Sequence, residues 1–427
     1  MRALVDSAAC YRALSVSMND SRQAMSNKLK PRLFALGMVV IFLVLVEGIF
    51  FAAGKVLQSK WGMWRVPAAV VSERHKLSFQ QYLAQRDPVL GWPYPKEYGA
   101  NLDATGAQHN PMFAPDGRRA PCVSLYGDSF TEGGDASSDD GKWGNLLSGR
   151  LNCYVANFGV GGYGTDQAFL RFSGNQNDRS PVVILGIHTE NVMRNLTRLR
   201  DLQNYGRWYA LKPRFVLNAQ DELELVPKPT LSEAEYLRVI GAQRPLLKLP
   251  DEHFQPGGSA GVVALSFPYS VSVIRNMLKF EGFRSRLADR PDWMAYLQPG
   301  HPSNGLGISA AIAQQFVTLS KAQNRTPLLV ILPHPLDFEY FEEKAVWPHH
   351  HLRQAYATRN LPFEDFGPYL LAHAKATGRE SRKFFGPTMH YNDAGNALVA
   401  RFVHERLFAR SMIGGPHPVA APLAPRQ

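Results

Sequence analysis

In SLYGDSFTEGG, Ser124 to Gly134, Ser129 stands between an acid and an aromatic, directly after a short apolar run and directly before glycines. Gly, Asp and Ser end strands in any protein, so this stretch alone describes a turn residue as well as a nucleophile. Three more stretches have the same placement. NFGVGGYGTDQ (Asn157 to Gln167) and GIHTENVMRN (Gly186 to Asn195) each close an apolar run, and MHYNDAGNALVA (Met389 to Ala400) sets His390 just ahead of a helical pattern. A serine, a glycine-rich loop, an amide and an imidazole together are what ester cleavage requires. A hydroxyl attacks poorly at neutral pH until an imidazole takes its proton. Donors fixed beforehand around the developing oxyanion are worth roughly 3 to 4 kcal/mol each.

These stretches need a scaffold that brings their ends together. Short apolar runs alternate with helical patterns, which is the signature of a parallel sheet with crossover helices. The runs predict strands at Cys122–Gly127, Cys153–Gly159, Val182–Ile187 and Pro327–Pro333, with a weaker one at Leu361–Phe366. Helices are predicted at Trp143–Leu151, Thr165–Phe172 and Gly307–Gln323, where Ile308, Ile312, Phe316 and Leu319 recur at helical spacing. A last helix opens after Asn392, a favourable N-cap. Open α/β sheets bind ligands beyond the carboxyl ends of their strands, and there Ser129, the Gly159–Gly162 loop and the 188–191 segment fall. From about Leu199 to Asn304 the alternation fails, and the stretch reads as an insertion serving as a lid or substrate-binding excursion.

From about Pro121 to Leu407 the four blocks resemble the SGNH hydrolase family, also called the GDSL esterases. The resemblance implies an α/β class fold, a three-layer α/β/α flavodoxin-like arrangement, and a carboxylic ester hydrolase that needs no cofactor. Carried onto this chain, it makes Ser129 the nucleophile and His390 the general base. The oxyanion hole is then formed by Ser129, Gly162 and Asn191. Two positions depart from the family pattern. Its third block reads Gly-x-Asn-Asp, whereas Gly186 is followed here by Ile187, His188, Thr189, Glu190 and Asn191; Asn191 is preferred to His188 as the donor. The family's acid precedes the histidine by three residues, and that position is Pro387. Asp393 and Asp365 are the substitutes, with a Ser-His dyad as the alternative. In a flavodoxin-like order the strands starting at Cys122 and Cys153 are neighbours, so these residues read either as a disulfide or as two buried thiols.

Three other features compete for attention. GGSAG, Gly257 to Gly261, matches the nucleophile-elbow pattern around Ser259, but the preceding PDEHFQP is no strand. His349 to His351 lack a partner at ligand spacing, so they read as a solvated turn and no metal site is expected. YGRWYALKPRF, Tyr205 to Phe215, interleaves aromatics with cations and suits a sugar-binding strip or a packed lid equally.

Leu33 to Ala53 runs for about 20 residues with a single charge, enough to cross a bilayer as a helix. Arg2, Arg12, Arg22, Lys28, Lys30 and Arg32 precede it against Asp6 and Asp20, an asymmetry that keeps the N-terminus in the cytoplasm. Glu47 is expected to reach the headgroups from the outer end of this helix. The organisation that follows is a cytoplasmic segment 1–32, an anchor 33–53, a stalk and lead-in 54–118, a hydrolase-like domain 119–410 and a disordered tail 411–427. The net charge of +11 comes with no zinc or RNA-binding signature, which argues against nucleic acid as a partner. The expected protein is a single-pass inner-membrane esterase with its catalytic domain outside, acting on an acylated carbohydrate. Two alternatives remain open: an acyltransferase fed by a multi-spanning acyl-transport partner, and a carbohydrate-binding module on a decayed scaffold.

Overall fold

Along the apolar runs successive residues point to opposite faces, and each face is covered. In the computed structural model, which describes residues 3–61, 77–93, 102–113, 121–204, 210–240, 249, 252–254 and 265–413, the strands are β1 (Val123–Tyr126), β2 (Val155–Asn157), β3 (Val182–His188), β4 (Arg214–Leu217), β5 (Leu223–Val226), β6 (Thr326–Leu332) and β7 (Phe363–Asp365). Val182 and Ile184 of β3, with Leu328, Val330 and Leu332 of β6, enter one core with Trp143, Leu147 and Phe402. The alternate residues Val183, Leu185, Ile187, Leu329 and Ile331 enter a second core with Phe172, Ile312 and Phe316. Burial on both faces explains why the runs are almost continuously apolar, and it yields the three layers.

The main sheet has the parallel order β2-β1-β3-β6-β7. Chain direction reverses its progress across the sheet between β1 and β3, the crevice where open α/β sheets take ligands. The helices predicted from spacing appear as Trp143–Leu151, Thr165–Gly174, Gly305–Ala322 and Asp393–Ala409. Asn392 caps the last of them by accepting from the Gly395 N–H at 3.1 Å.

Because β1 and β2 pair with Val123 opposite Val155, Cys122 and Cys153 begin adjacent strands. They form a disulfide, with Cα atoms 6.1 Å apart. The bridge closes a loop with a sequence separation of 31, and chain-entropy reasoning assigns such a loop roughly 3 to 4 kcal/mol. Replacing both cysteines with alanine is expected to lower unfolding free energy by about 2 to 4 kcal/mol in denaturant titration while leaving ester turnover intact.

By contacts the chain divides into two units, Met1–Arg65 with Val263–Leu278, and Val66–Val262 with Lys279–Gln427. The first unit is built on a continuous helix, Ala3–Trp61. Its Lys30–Ser59 stretch is long and apolar enough to cross a membrane, and its most apolar 18-residue window has a mean hydropathy of 2.7. Glu47, expected to reach the headgroups from this helix, is held by protein instead. Its carboxylate accepts from the N–H groups of Tyr269 and Ser270 and from the Ser270 hydroxyl, at the start of a helix over Tyr269–Lys279.

The insertion between β3 and β6 contains the antiparallel pair β4 and β5 and several helices. The cationic strip read from Tyr205 to Phe215 is core in its described part. Lys212 is fully buried against Asp166, and Arg214 lies 3.7 Å from Glu252. A buried cation must be paired to be tolerated, so these two are not available to a sugar; residues 205–209 lie outside the described residues. Ser259 and the rest of GGSAG lie outside them too, as does the tail from 414. His349, expected in a solvated turn, is instead fully buried, with its Nε2 3.0 Å from the Asp365 carboxylate. Burial alone would lower its pKa, but Asp365 and Asp337 raise it on balance.

Candidate active site

Each block is positioned by packing that its small residues permit. Gly127 ends β1 and Gly186 lies within β3; a Cβ on either would collide with the Thr131 hydroxyl, so glycine lets the helix Ser129–Glu132 settle onto both strands. Asp128 caps that helix by accepting from the Phe130 N–H at 3.0 Å. Ser129 is therefore its first residue, with its N–H in the turn that lacks intrahelical acceptors. Arg194 ties three blocks together. Its Nη1 donates to Asp128 at 3.3 Å and to the Tyr163 carbonyl at 3.0 Å, and its Nη2 donates to Glu190 at 3.2 Å. Burial works against the guanidinium, but Glu190 and Asp128 outweigh it and raise its pKa.

Ser129 and His390 meet across the sheet end, with Oγ and Nε2 2.7 Å apart. On the other side of the ring Nδ1 lies 2.7 Å from the Thr388 hydroxyl, which donates to Asp135 Oδ1 at 2.6 Å. Asp135 Oδ2 accepts the backbone N–H groups of Thr388 and His390 at 3.0 and 3.1 Å. Because Thr388 gives its only proton to the carboxylate, its oxygen must accept from Nδ1–H. That leaves Nε2 as an acceptor for the serine proton. Burial lowers the His390 pKa, with His188 and Arg194 acting in the same direction and Asp128 and Asp135 opposing them.

A serine at the end of β1, joined to a histidine ahead of the last helix across a 2-1-3 parallel order, decides the architecture. It is an α/β fold with a parallel sheet, like that implied by the resemblance to the SGNH hydrolases. No family model matches the chain, and no curated protein matches it either. Among solved structures, a lipase/acylhydrolase from Enterococcus faecalis is 11% identical, with 67% of this chain and 95% of that one covered and a TM-score of 0.32. A catalytic mutant of an acetylxylan esterase from Geobacillus stearothermophilus is 11% identical, with 68% and 94% covered and a TM-score of 0.34. A two-domain esterase active on acetylated mannans is 12% identical, with 71% and 54% covered and a TM-score of 0.33.

Within this α/β fold the two substitute acids are engaged elsewhere. Asp393 accepts from the Ser137 N–H and hydroxyl at 2.8 and 2.7 Å. Asp365 pairs with His349 and caps a helix at the Gly367 N–H, 2.9 Å away. Neither bonds His390, since Ser137 holds Asp393 and His349 holds Asp365. The ring also has a side-chain partner, contrary to a bare dyad. Asp135 went unread in the sequence because it follows Gly133 and Gly134 in what looks like an ordinary turn. A left-handed backbone, φ 63°, aims it at Thr388.

The two candidates for the third-block donor are both buried, and His188 Nε2, like the Asn191 amide, has no hydrogen-bond partner among the described residues. His188 is stacked 3.8 Å from the Phe130 ring, with Nδ1 3.0 Å from the Leu332 carbonyl. Asn191 is 1% exposed, and neither atom of its side-chain amide has a hydrogen-bond partner among the described residues. A buried amide without partners costs free energy, and an oxyanion would supply the acceptor it lacks. Gly162 has φ 83°, and an added Cβ would meet the Trp92 ring at 3.1 Å. Glycine is thus required there by its backbone and by Trp92, a reason the sequence did not disclose. Its loop is tethered by Glu132, which accepts from the Gly161 N–H at 2.8 Å.

Proposed function

We propose that this chain is a membrane-anchored serine esterase, facing outward, that removes acyl groups, acetyl above all, from a cell-envelope or secreted polysaccharide. The observation that carries the reading is the 2.7 Å approach of Ser129 Oγ to a His390 whose far nitrogen is already held. In the first half-reaction Ser129 Oγ attacks the ester carbonyl while His390 Nε2 takes its proton. The oxyanion forms against the N–H groups of Ser129 and Gly162 and the Asn191 amide. Collapse of the tetrahedral species breaks the bond to the sugar oxygen, which leaves with the proton from His390. Water, deprotonated by the same nitrogen, then cleaves the acyl-serine and restores the enzyme.

The Lys30–Ser59 helix and the basic residues before it support anchoring with the N-terminus inside. The Cys122–Cys153 bridge supports an oxidising compartment for the catalytic unit. An anchored enzyme favours a substrate fixed at the envelope. The carbohydrate and acetyl assignments rest on the family resemblance.

Full-length protein incubated with polysaccharide carrying labelled acetyl groups is expected to release free acetate. Label moved to an added sugar acceptor would indicate transfer instead, and label left in place would remove the enzymatic reading. In the same assay Asn191→Ala should lower the rate by roughly 10² to 10³, as expected for loss of an oxyanion donor. An unchanged rate would take that role from it.

A further inference from the structure

An ionisable residue inside a spanning helix needs a partner, and Glu47 finds its partner in the insertion. From Leu33 to Glu47 is about 21 Å of helix and from Glu47 to Ala53 about 9 Å, so the carboxylate lies well inside the apolar run. Its acceptor sites are filled by the first-turn N–H groups at Tyr269 and Ser270 and by the Ser270 hydroxyl. Those amides are donors a helix start leaves unpaired, and backbone groups within a bilayer must be satisfied by protein. Glu47 and this helix start therefore solve one another's difficulty.

The contacts trace a path along the long helix. An added Cβ on Gly54 would meet Leu265 at 2.9 Å and Val273 at 3.4 Å, whereas between them Tyr269 packs tilted against Phe51, centroids 4.9 Å apart, and Ser270 bonds Glu47. The chain descends from the level of Gly54 to that of Glu47, about 10 Å deeper, and returns to Gly54 at Val273. The missing side chain at Gly54 lets both limbs come close, as small residues do between membrane helices. Ser272, Val273 and Asn276 are buried. The outward face carries Phe267, Val271, Ile274 and Leu278, which are 71%, 59%, 49% and 70% exposed. Arg275, beside that stripe and beyond the level of Gly54, is exposed and long enough to reach headgroups.

We infer that residues 265–278 form a re-entrant hairpin that dips into the outer leaflet alongside the anchor and presents Phe267, Val271, Ile274 and Leu278 to lipid acyl chains. The occupant is lipid because the hairpin lies against a spanning helix whose own apolar surface is exposed from Leu33 to Leu45 and at Phe51, and because the hairpin's depth is set by Glu47. The inference rests on the anchor reading of Lys30–Ser59 and is independent of the esterase reading.

The test uses full-length protein in phosphatidylethanolamine/phosphatidylglycerol vesicles, with Cys10→Ser and one added cysteine at Phe267, Ile274 or Leu278 bearing a fluorophore. A nitroxide on the lipid acyl chain is expected to quench all three several-fold better than aqueous iodide, with the reverse order at Asp221→Cys in the β4–β5 turn. Glu47→Ala and Gly54→Phe should release the hairpin and shift quenching toward iodide. Iodide quenching of the three labels in the otherwise native chain overturns the inference. So does shielding from both quenchers, which would mean that protein covers the stripe. Extraction by alkaline carbonate separates the two readings: protein stripped from vesicles overturns the anchor and the hairpin with it, whereas retained protein with iodide-quenched labels overturns the hairpin alone.

Discussion

Ser129→Ala is expected to lower turnover of a small activated ester by roughly 10⁴ to 10⁶, to the level left by binding and the oxyanion donors alone. The hydroxyl is the atom that bonds the acyl carbon, and nothing else within the site replaces it. His390→Ala should cost about as much, because without Nε2 the serine keeps its proton. The double variant should lose little beyond either single one, since the two side chains act as a unit. Thermal melting should move little, because Ser129 and His390 are both only partly buried and contribute limited packing. Ester turnover by Ser129→Ala at the wild-type rate would return this serine to the role of a turn residue.

Beyond the Ser129–His390 pair, Asp135→Asn should have the largest effect, a loss of about 10² to 10⁴ in kcat, by analogy with an amide in place of the triad acid. The new amide donates to Thr388 Oγ1, so the threonine proton turns toward His390 Nδ1. The imidazole then holds its own proton on Nε2, where it cannot accept from serine. The pH profile distinguishes this role from a merely structural one. His390 works only while neutral, so kcat/KM falls as pH drops through its pKa, which burial already holds below the usual imidazole value. The Asp135 charge raises that pKa; removing it should carry the acid limb to still lower pH while the plateau falls. Thr388→Val breaks the relay but keeps the charge, so it should lower the plateau with a smaller displacement of the limb, and Thr388→Ser should restore activity. If Asp135→Asn leaves plateau and limb where they were, the carboxylate has no part in positioning His390.

The parts of this protein legible in its sequence are those fixed by neighbouring residues. Val182–His188 and Thr326–Leu332 are apolar throughout because alternate side chains enter two different cores, and that pattern is written in consecutive positions. The start of the last helix at Asn392, the spanning length of Leu33–Ala53 and the placement of Ser129 and His390 at strand and helix ends are local in the same sense. What tertiary structure alone decided are contacts between segments with no periodic relation. Asp135 reaches Thr388 across 253 residues, and a carboxylate after two glycines looks the same in sequence whether it faces water or orients a catalytic base. Asp393 and Asp365 are equally eligible in sequence, and only the folded chain gives them to Ser137 and His349. The Tyr205–Phe215 stretch suits a sugar-binding strip and a packed lid equally in sequence, which does not show the buried Asp166 and Glu252 that pair with Lys212 and Arg214. Glu47 is expected from the sequence to reach the headgroups because its partners, Tyr269 and Ser270, lie more than two hundred residues away. Periodicity reports which face of an element is buried; only the folded chain determines what that face is buried against.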